Sequence, residues 1–398
     1  MKRSVVLLVV VFVAAAAGPA SAKLPTIYSS LPMHGDSRPQ SLSIVRAERL
    51  ALAEHGGQAG GQRIRYVARD DSTAAAGKWD PGTVALNARR AAQDRSTIAY
   101  LGEFNSGGSA IAIPILNEAG ILTVSPSNTY VGLTRAEGAD HAEPEKYYPT
   151  AKRTYGRIAP ADHLQADALV RWMTQLGVKR PYLLDDAEVY GHGLAEMVAA
   201  RAAAAGMTVA GRSRYGTHRS ARALARRVAK AQPDAVVVLG ITQNGAARAV
   251  NAVGGRLPRV PIFSDDGTAE APFTRHVAAG VRARVHITNP SVPDSARGPA
   301  AVAFASRYRA RYHDAPEPYA IFAYEAMAVT LDAIDRAAAQ GALTRDGVVA
   351  AFFATHDRDS VLGRYSIDTG GDTTLAAYGG YAISPRGALR FDRIIAPS

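Results

Sequence analysis

The chain has 398 residues, 47% of them hydrophobic and 20% charged, enough for a large core and more than one domain. It contains no cysteine, which excludes disulfides, thiolate catalysis, cysteine-ligated metal and an acyl anchor on a processed N-terminal cysteine. The formal charge of +11 is spread over scattered arginines such as Arg219, Arg222, Arg226 and Arg227. There is no basic block and no interleaved aromatic ladder, so no nucleic-acid partner is expected.

Lys2-Arg3, the apolar run Val5 to Ala17, and Ala20-Ser21-Ala22 form a three-part secretory signal over residues 1–22. The run is shorter than the roughly 20 residues of a membrane span. The mature chain is therefore expected to begin near Lys23, to carry about +9 and to lie in the periplasm or be secreted.

In chain order, Thr26 to Leu31 reads as a strand, Gln40 to His55 as a helix, Arg63 to Ala68 as a strand and Val84 to Gln93 as a helix. Ile98 to Phe104 is a strand broken by Asn105-Ser106-Gly107-Gly108-Ser109; a helix follows to Glu118, and Ile121 to Ser125 is a strand ending at Ser125-Pro126-Ser127-Asn128-Thr129. Glu137 to Thr154 is polar and irregular and is assigned to a loop outside the core. A second series follows. Asp162 is the expected N-cap of a helix over His163 to Leu176, with strands at Tyr182 to Leu184, Met207 to Gly211, Asp234 to Leu239 and Pro261 to Ser264. Helices are expected at Leu194 to Ala205, Arg219 to Ala231 and Ala246 to Val253 between them. Val285 to Asn289 is extended. Three helices, from Ala300, Tyr319 and Asp346, precede a hairpin around Ser384-Pro385-Arg386-Gly387. Alternating strands and helices in two similar halves predict an α/β fold with parallel sheets.

In such sheets ligands bind beyond the strand carboxyl ends. The turns at Ser106 and at Ser127-Thr129 lie there, and hydroxyls with free N–H groups at a helix start hold a small anion such as a carboxylate. Gly102 to Ser109 lacks the lysine of a phosphate loop, so a nucleotide is not expected. The doublets Asp70-Asp71, Asp185-Asp186 and Asp265-Asp266 suit either a cation or ammonium site or plain loop capping, and Asp266 is the strongest ligand candidate. Tyr190 points either into a cleft or into a helix start. No nucleophile elbow, zinc-protease motif or ligand-like histidine spacing occurs, so neither catalytic residue, metal nor cofactor is expected.

Taken together, Arg69-Asp70-Asp71, Gly102 to Ser109, Ile121 to Thr129, Arg157 to Asp162, Tyr190 to Gly193, Asp265 to Gly267 and Tyr319 to Ala326 resemble the leucine/isoleucine/valine-binding proteins, type I periplasmic solute-binding proteins of ABC importers. The resemblance spans essentially the whole mature chain. It implies two Rossmann-like lobes, 23–156 plus 290–376 and 157–289 plus 377–398, joined by a multi-strand hinge that closes like a flytrap. It also implies a monomer that catalyses nothing and hands an amino acid, branched-chain or related, to a membrane permease. By position, Ser106 matches the serine that holds the ligand carboxylate, Ser127 the residue whose backbone accepts the ammonium, and Thr129 the threonine touching both. Tyr190 matches the tyrosine that closes over the ligand, and Asp266 stands where the family commonly has glutamate. The loop Leu31 to Gly35 departs further and is expected to help line the side-chain pocket. Alternatives are a soluble sensor for an amide, urea or aromatic acid, and an exported hydrolase.

Overall fold

The computed structural model describes residues 24–216 and 220–395; the expected signal segment lies outside the described residues. Two sheets dominate. The first is all parallel, built from β1 (Thr26–Leu31), β2 (Arg65–Asp70), β3 (Thr97–Leu101), β4 (Leu122–Ser125) and β5 (Tyr155–Arg157), in the order β2-β1-β3-β4-β5. Every residue of β1, β3, β4 and β5 is buried. Helices cover both faces of such a sheet, so β3 runs apolar from Ile98 to Leu101 and the polar residues of β4, Thr123 and Ser125, are buried with the rest.

The helices α1 (Arg38–Glu54), α2 (Pro81–Gln93) and α3 (Ser106–Glu118) connect these strands. Asp80 caps α2, its carboxylate accepting from Thr83 N at 2.8 Å, with Pro81 in the first turn. Val84 and Ala88 of α2 and Ala112 and Leu116 of α3 pack against Tyr28 and Tyr100 on one face of the sheet.

The second sheet has the order β7-β6-β8-β9-β10-β11-β12, from β6 (Pro181–Asp185), β7 (Gly211–Arg214), β8 (Ala235–Leu239), β9 (Ile262–Ser264), β10 (Val285–Asn289) and the antiparallel hairpin β11 (Tyr378–Ile383) and β12 (Leu389–Ile395). On one face α4 (Asp162–Gln175) and α5 (Val189–Ala204) bury Leu169, Trp172, Leu194 and Val198 against Leu183, Val237 and Phe263. On the other, α6 (Ala221–Lys230) and α7 (Ala246–Arg256) bury Leu224, Val228, Val250 and Val253 against Leu184, Val236 and Val238.

The chain does not stay in one lobe. After β10 it returns to the first sheet with α8 (Pro299–Tyr312), α9 (Ala320–Ala339) and α10 (Arg345–Phe353), whose Phe304, Tyr308, Phe322, Ile334 and Phe352 share a core with Ile27, Leu31, Ile44 and Leu50. It then crosses again to add β11 and β12 to β10. A buried ion pair sits between the first and the last crossing: Arg157 Nε lies 2.7 Å from Asp372 Oδ1, and Arg157 Nη1 donates to Tyr130 O at 2.7 Å. Burial alone would raise the Asp372 carboxyl, but Arg157 and Arg135 outweigh it and hold it at about 2.

Three expectations need correction. The strand expected at Met207 to Gly211 begins only at Gly211: Met207 packs into the core, whereas β7 is a polar edge strand, Gly-Arg-Ser-Arg, with alternate residues exposed. An edge strand faces water on its free side and carries charge, so its apolar signal is weak. Asp162 is not the cap of α4 but its first residue, after Ala161; its N–H goes to Thr129 O at 2.8 Å and its carboxyl is fully buried without a hydrogen-bond partner. Within the polar stretch Glu137 to Thr154, Tyr147 and Tyr148 are core residues. They are compatible with burial because Glu143 accepts from Tyr130 Oη and Tyr147 Oη at 2.5 Å each and pairs with Lys146 at 2.7 Å. No helix among the described residues is long and apolar enough to cross a membrane.

Candidate ligand cleft between the lobes

In the first sheet the strand order reverses between β1 and β3; the turn after β3 opens at that switch point and the turn after β4 lies next to it. After β3 the chain turns through Gly102 to Asn105 and enters α3 at Ser106. Gly108 and Ser109 donate the first intrahelical bonds, to Asn105 O at 2.9 and 3.1 Å, and the N–H groups of Ser106 and Gly107 precede them. These are the unsatisfied donors of a helix start, at the positive end of its dipole. After β4, Ser127 Oγ donates to Phe104 O at 3.0 Å, and Asn128 Nδ2 to Glu103 O and Phe104 O at 3.0 and 2.8 Å, so the two turns are tied into one rigid wall. Ser106 Oγ is within 3.4 Å of Tyr130 N.

The opposite wall comes from the second sheet. Asp266 follows β9, and its Oδ1 accepts from Tyr190 Oη, at the start of α5, at 2.7 Å. Tyr319, at the start of α9 in the first lobe, donates to Oδ2. Burial pushes the Asp266 carboxyl up, and the Tyr319 and Tyr190 hydroxyls and Gln165 pull it back part of the way. Asp162 lies close by. Burial first and the Asp266 charge second drive Asp162 well above the usual carboxylate range.

Ser106, Ser127, Thr129, Tyr190 and Asp266 all line one cavity, shared with Gln40, Phe104, Asn105, Gly107, Glu188, Ile241, Gln243, Gly267, Glu270 and Tyr319. The lining holds three carboxylates, Glu188, Asp266 and Glu270, and no lysine, arginine or histidine. An open space of about 30 Å³ remains, room for little more than water, so the lobes are drawn together. At the rim Lys78, on a short hairpin after β2, reaches across: its Nζ lies 2.7 Å from Glu188 Oε1 and 2.6 Å from Asn244 Oδ1, while Trp79 Nε1 donates to Glu188 Oε2 at 3.1 Å.

The remaining sequence candidates serve the scaffold. Asp70 accepts from Met33 N, Ser72 N and Ser72 Oγ and pairs with His34; Asp185 accepts from Ala187 N, and Asp186 from Glu188 N, Ile241 N and Asn244 Nδ2. Asp265 accepts from Gly240 N at 2.6 Å. No cluster of metal-ligating side chains occurs among the described residues. The loop Leu31 to Gly35 does not line the cavity, contrary to expectation, because Met33 and His34 are held on Asp70 and Ser72; Gln40 of α1 takes that place. Glu270, Gln40 and Gln243 escaped sequence reasoning because they carry no local motif, and Tyr319, which opens one of the stretches that carry the resemblance, was given no role in the site; the four meet only when the lobes do.

A family model described as periplasmic binding protein matches residues 29–380. No curated protein matches the chain. Among solved structures, a leucine-binding protein LivK from Thermotoga maritima superposes with a TM-score of 0.80 at 21% identity, covering 94% of this chain and 99% of that one. LivJ from Streptococcus pneumoniae in complex with isoleucine gives 0.75 at 20%, covering 94% and 100%. A solute-binding protein of an ABC transporter from R. palustris in complex with benzoate gives 0.75 at 17%, covering 94% and 97%. At these identities the likeness concerns the fold. The family model spans most of the chain, and with the two parallel-sheet lobes and the cleft between them it settles membership: the chain belongs to the periplasmic binding proteins.

Proposed function

We propose that the protein is the extracytoplasmic substrate-binding component of an ABC importer, capturing an α-amino acid between lobes 23–156 plus 290–376 and 157–289 plus 377–398 and passing it to a membrane permease. One observation carries this reading. Anion-binding donors on one wall, Ser106, the Gly107 N–H and Thr129, face a buried carboxylate, Asp266, on the other. A zwitterion fits that polarity: its carboxylate sits at the start of α3 and its ammonium on Asp266, with the Ser127 backbone as a second acceptor and Tyr190 closing over it. Such a ligand touches both lobes at once, so the closed state gains contacts that the open state lacks, and that difference drives closure.

An aromatic acid is the second reading, since a structural neighbour holds benzoate. It has no ammonium to answer Asp266, and its carboxylate would enter a cavity lined by three acids and no base. The amino-acid reading is therefore favoured. A thermal-shift screen of the chain from Lys23 onward against amino acids, amides and aromatic acids tests it, because a ligand of the native state raises the melting temperature. Asp266→Asn, which keeps shape and removes charge, should then weaken the stabilising amino acid by roughly 10- to 100-fold, the worth of a hydrogen bond to a charged group. Undiminished affinity in that variant would remove Asp266 from the site.

A further inference from the structure

The α-amino and α-carboxyl groups leave one acidic group of the cavity unanswered. Glu188 is neutralised by Lys78 and also receives Trp79 Nε1. Asp266 has two tyrosine hydroxyls and, in the proposed reading, the ligand ammonium. Glu270 is different. It is buried in the cavity wall, and its Oε1 accepts from Gln243 Nε2 at 3.0 Å. It forms no ion pair among the described residues, and the charged groups that face it from the first lobe, Asp36 and Glu317, are acids too. Its neighbours, Thr242, Gln243, Asp36 and Glu317, are not those of Asp266, so the two carboxyls serve separate parts of one cavity. A carboxyl buried without a cation is unfavourable unless a ligand or a proton completes it.

We infer that Glu270 reads the ligand's side chain, and that the ligand is an α-amino acid whose tail ends in a nitrogen carrying N–H donors, an amine, guanidinium or carboxamide, rather than an aliphatic chain. This rests on the amino-acid reading of the cleft. Phe104 and Ile241 supply apolar walls for the methylenes of such a tail, while Gln243 and Glu270 supply acceptors at its end. The protonation state of Glu270 separates the two tail chemistries. Burial first, then the charges of Asp36 and Glu317, raise it to about 8 against the pull of Thr242 and Gln243, so the empty closed cleft favours the protonated carboxyl. A cationic tail displaces that proton; a carboxamide tail leaves it in place.

Calorimetric titration of the mature chain with arginine, lysine, ornithine, glutamine and asparagine, and with leucine and valine as the aliphatic set, tests this. At least one nitrogen-tailed amino acid should bind 10-fold or more tighter than leucine. Glu270→Leu should cost that ligand 10-fold or more while leaving leucine binding unchanged or stronger, and Glu270→Gln should spare a carboxamide better than a cation. Titration at pH 7 in buffers of different ionisation enthalpy reads proton release: a cationic ligand releases more protons from the wild type than from Glu270→Gln, whereas equal release in the two with tight glutamine or asparagine binding marks a carboxamide. A wild-type preference for leucine or valine overturns the inference and leaves the amino-acid reading standing. An equal loss for every ligand in Glu270→Leu also overturns it, by reducing Glu270 to a structural part. Binding by no α-amino acid at all overturns both.

Discussion

Lys78 stands outside the cavity yet bridges the lobes, which makes it a clean handle on closure. Lys78→Met keeps the stem of the side chain and removes the charge that meets Glu188 at 2.7 Å and Asn244 at 2.6 Å. A fully buried hydrogen bond to a charged group contributes about 1.5–3 kcal/mol. Here the side chains of Lys78 and Glu188 are 31% and 22% exposed, so the contribution moves toward the ~0.2–1 kcal/mol of a surface pair. The two contacts together then stabilise the closed form by about 1–2 kcal/mol, a factor of roughly 5 to 30 in the closing equilibrium. As long as the open form predominates without ligand, apparent affinity scales with the closed fraction, and the whole factor should appear in Kd. Small-angle scattering of the ligand-free variant should show a larger radius of gyration, and calorimetry should show the same proportional loss for every ligand that binds. A ligand-selective loss would place Lys78 in the specificity pocket instead. Unchanged affinity together with an unchanged radius would refute the latch.

The Arg157–Asp372 pair makes the crossing region sensitive to charge removal. Asp372→Asn strands a fully buried guanidinium and should cost about 3–5 kcal/mol in urea unfolding. The same group governs acid stability: its folded pKa of about 2 lies below the ~3.9 of an unfolded aspartate, so its contribution, about 2.5 kcal/mol, is complete above about pH 4 and is lost as pH falls through 2. Urea midpoints at pH 5 and pH 2 should therefore differ less in Asp372→Asn than in the wild type. Gly240→Ala should lower the melting temperature and weaken ligand binding. Gly240 has φ +131° and its added Cβ would lie 2.3 Å from the Asp186 carboxyl, which holds the Ile241 N–H beside the cavity.

What the sequence made legible follows from where its signals are local. Thr26 to Leu31 and Ala235 to Leu239 are both buried along their whole length, but only the second, Ala-Val-Val-Val-Leu, reads directly as an apolar run. Val285 to Asn289 reads as extended at the bounds it has as β10, the fifth strand of the second sheet. Ser106, Ser127 and Thr129 stood out because glycine and hydroxyl turns after strands are short motifs, and Asp266 because a glycine follows it. The Lys78–Glu188 bridge spans 110 positions, and the Tyr319–Asp266 contact 53, with nothing in either neighbourhood to announce the other. Glu270 has nothing in its sequence neighbourhood to mark it; only the fold reveals that it is enclosed and faces other acids. The polar look of Glu137 to Thr154 misled for a similar reason. Glu143 is polar in sequence but satisfied in place, by two tyrosines and a lysine.

The charges of the cleft also explain why closing should depend on what is inside it. Asp162, Asp265 and Asp266 are all buried at the junction of the lobes, and burial raises each of them, with the Asp266 charge raising its two neighbours further. Closing the lobes over an empty cleft takes these groups out of water with tyrosine and backbone donors but no cation to answer them. On the proposed reading, closing over an α-amino acid supplies an ammonium at Asp266, while its carboxylate meets the unsatisfied N–H groups at the start of α3. The rim bridge of Lys78 to Glu188 and Asn244 favours closure whatever the cleft contains. Opposed in this way, a ligand-independent latch and a buried acidic junction leave, on the proposed reading, the ligand's positive charge as the difference between the two states, and a binding protein needs such a difference if it is to signal occupancy by its shape.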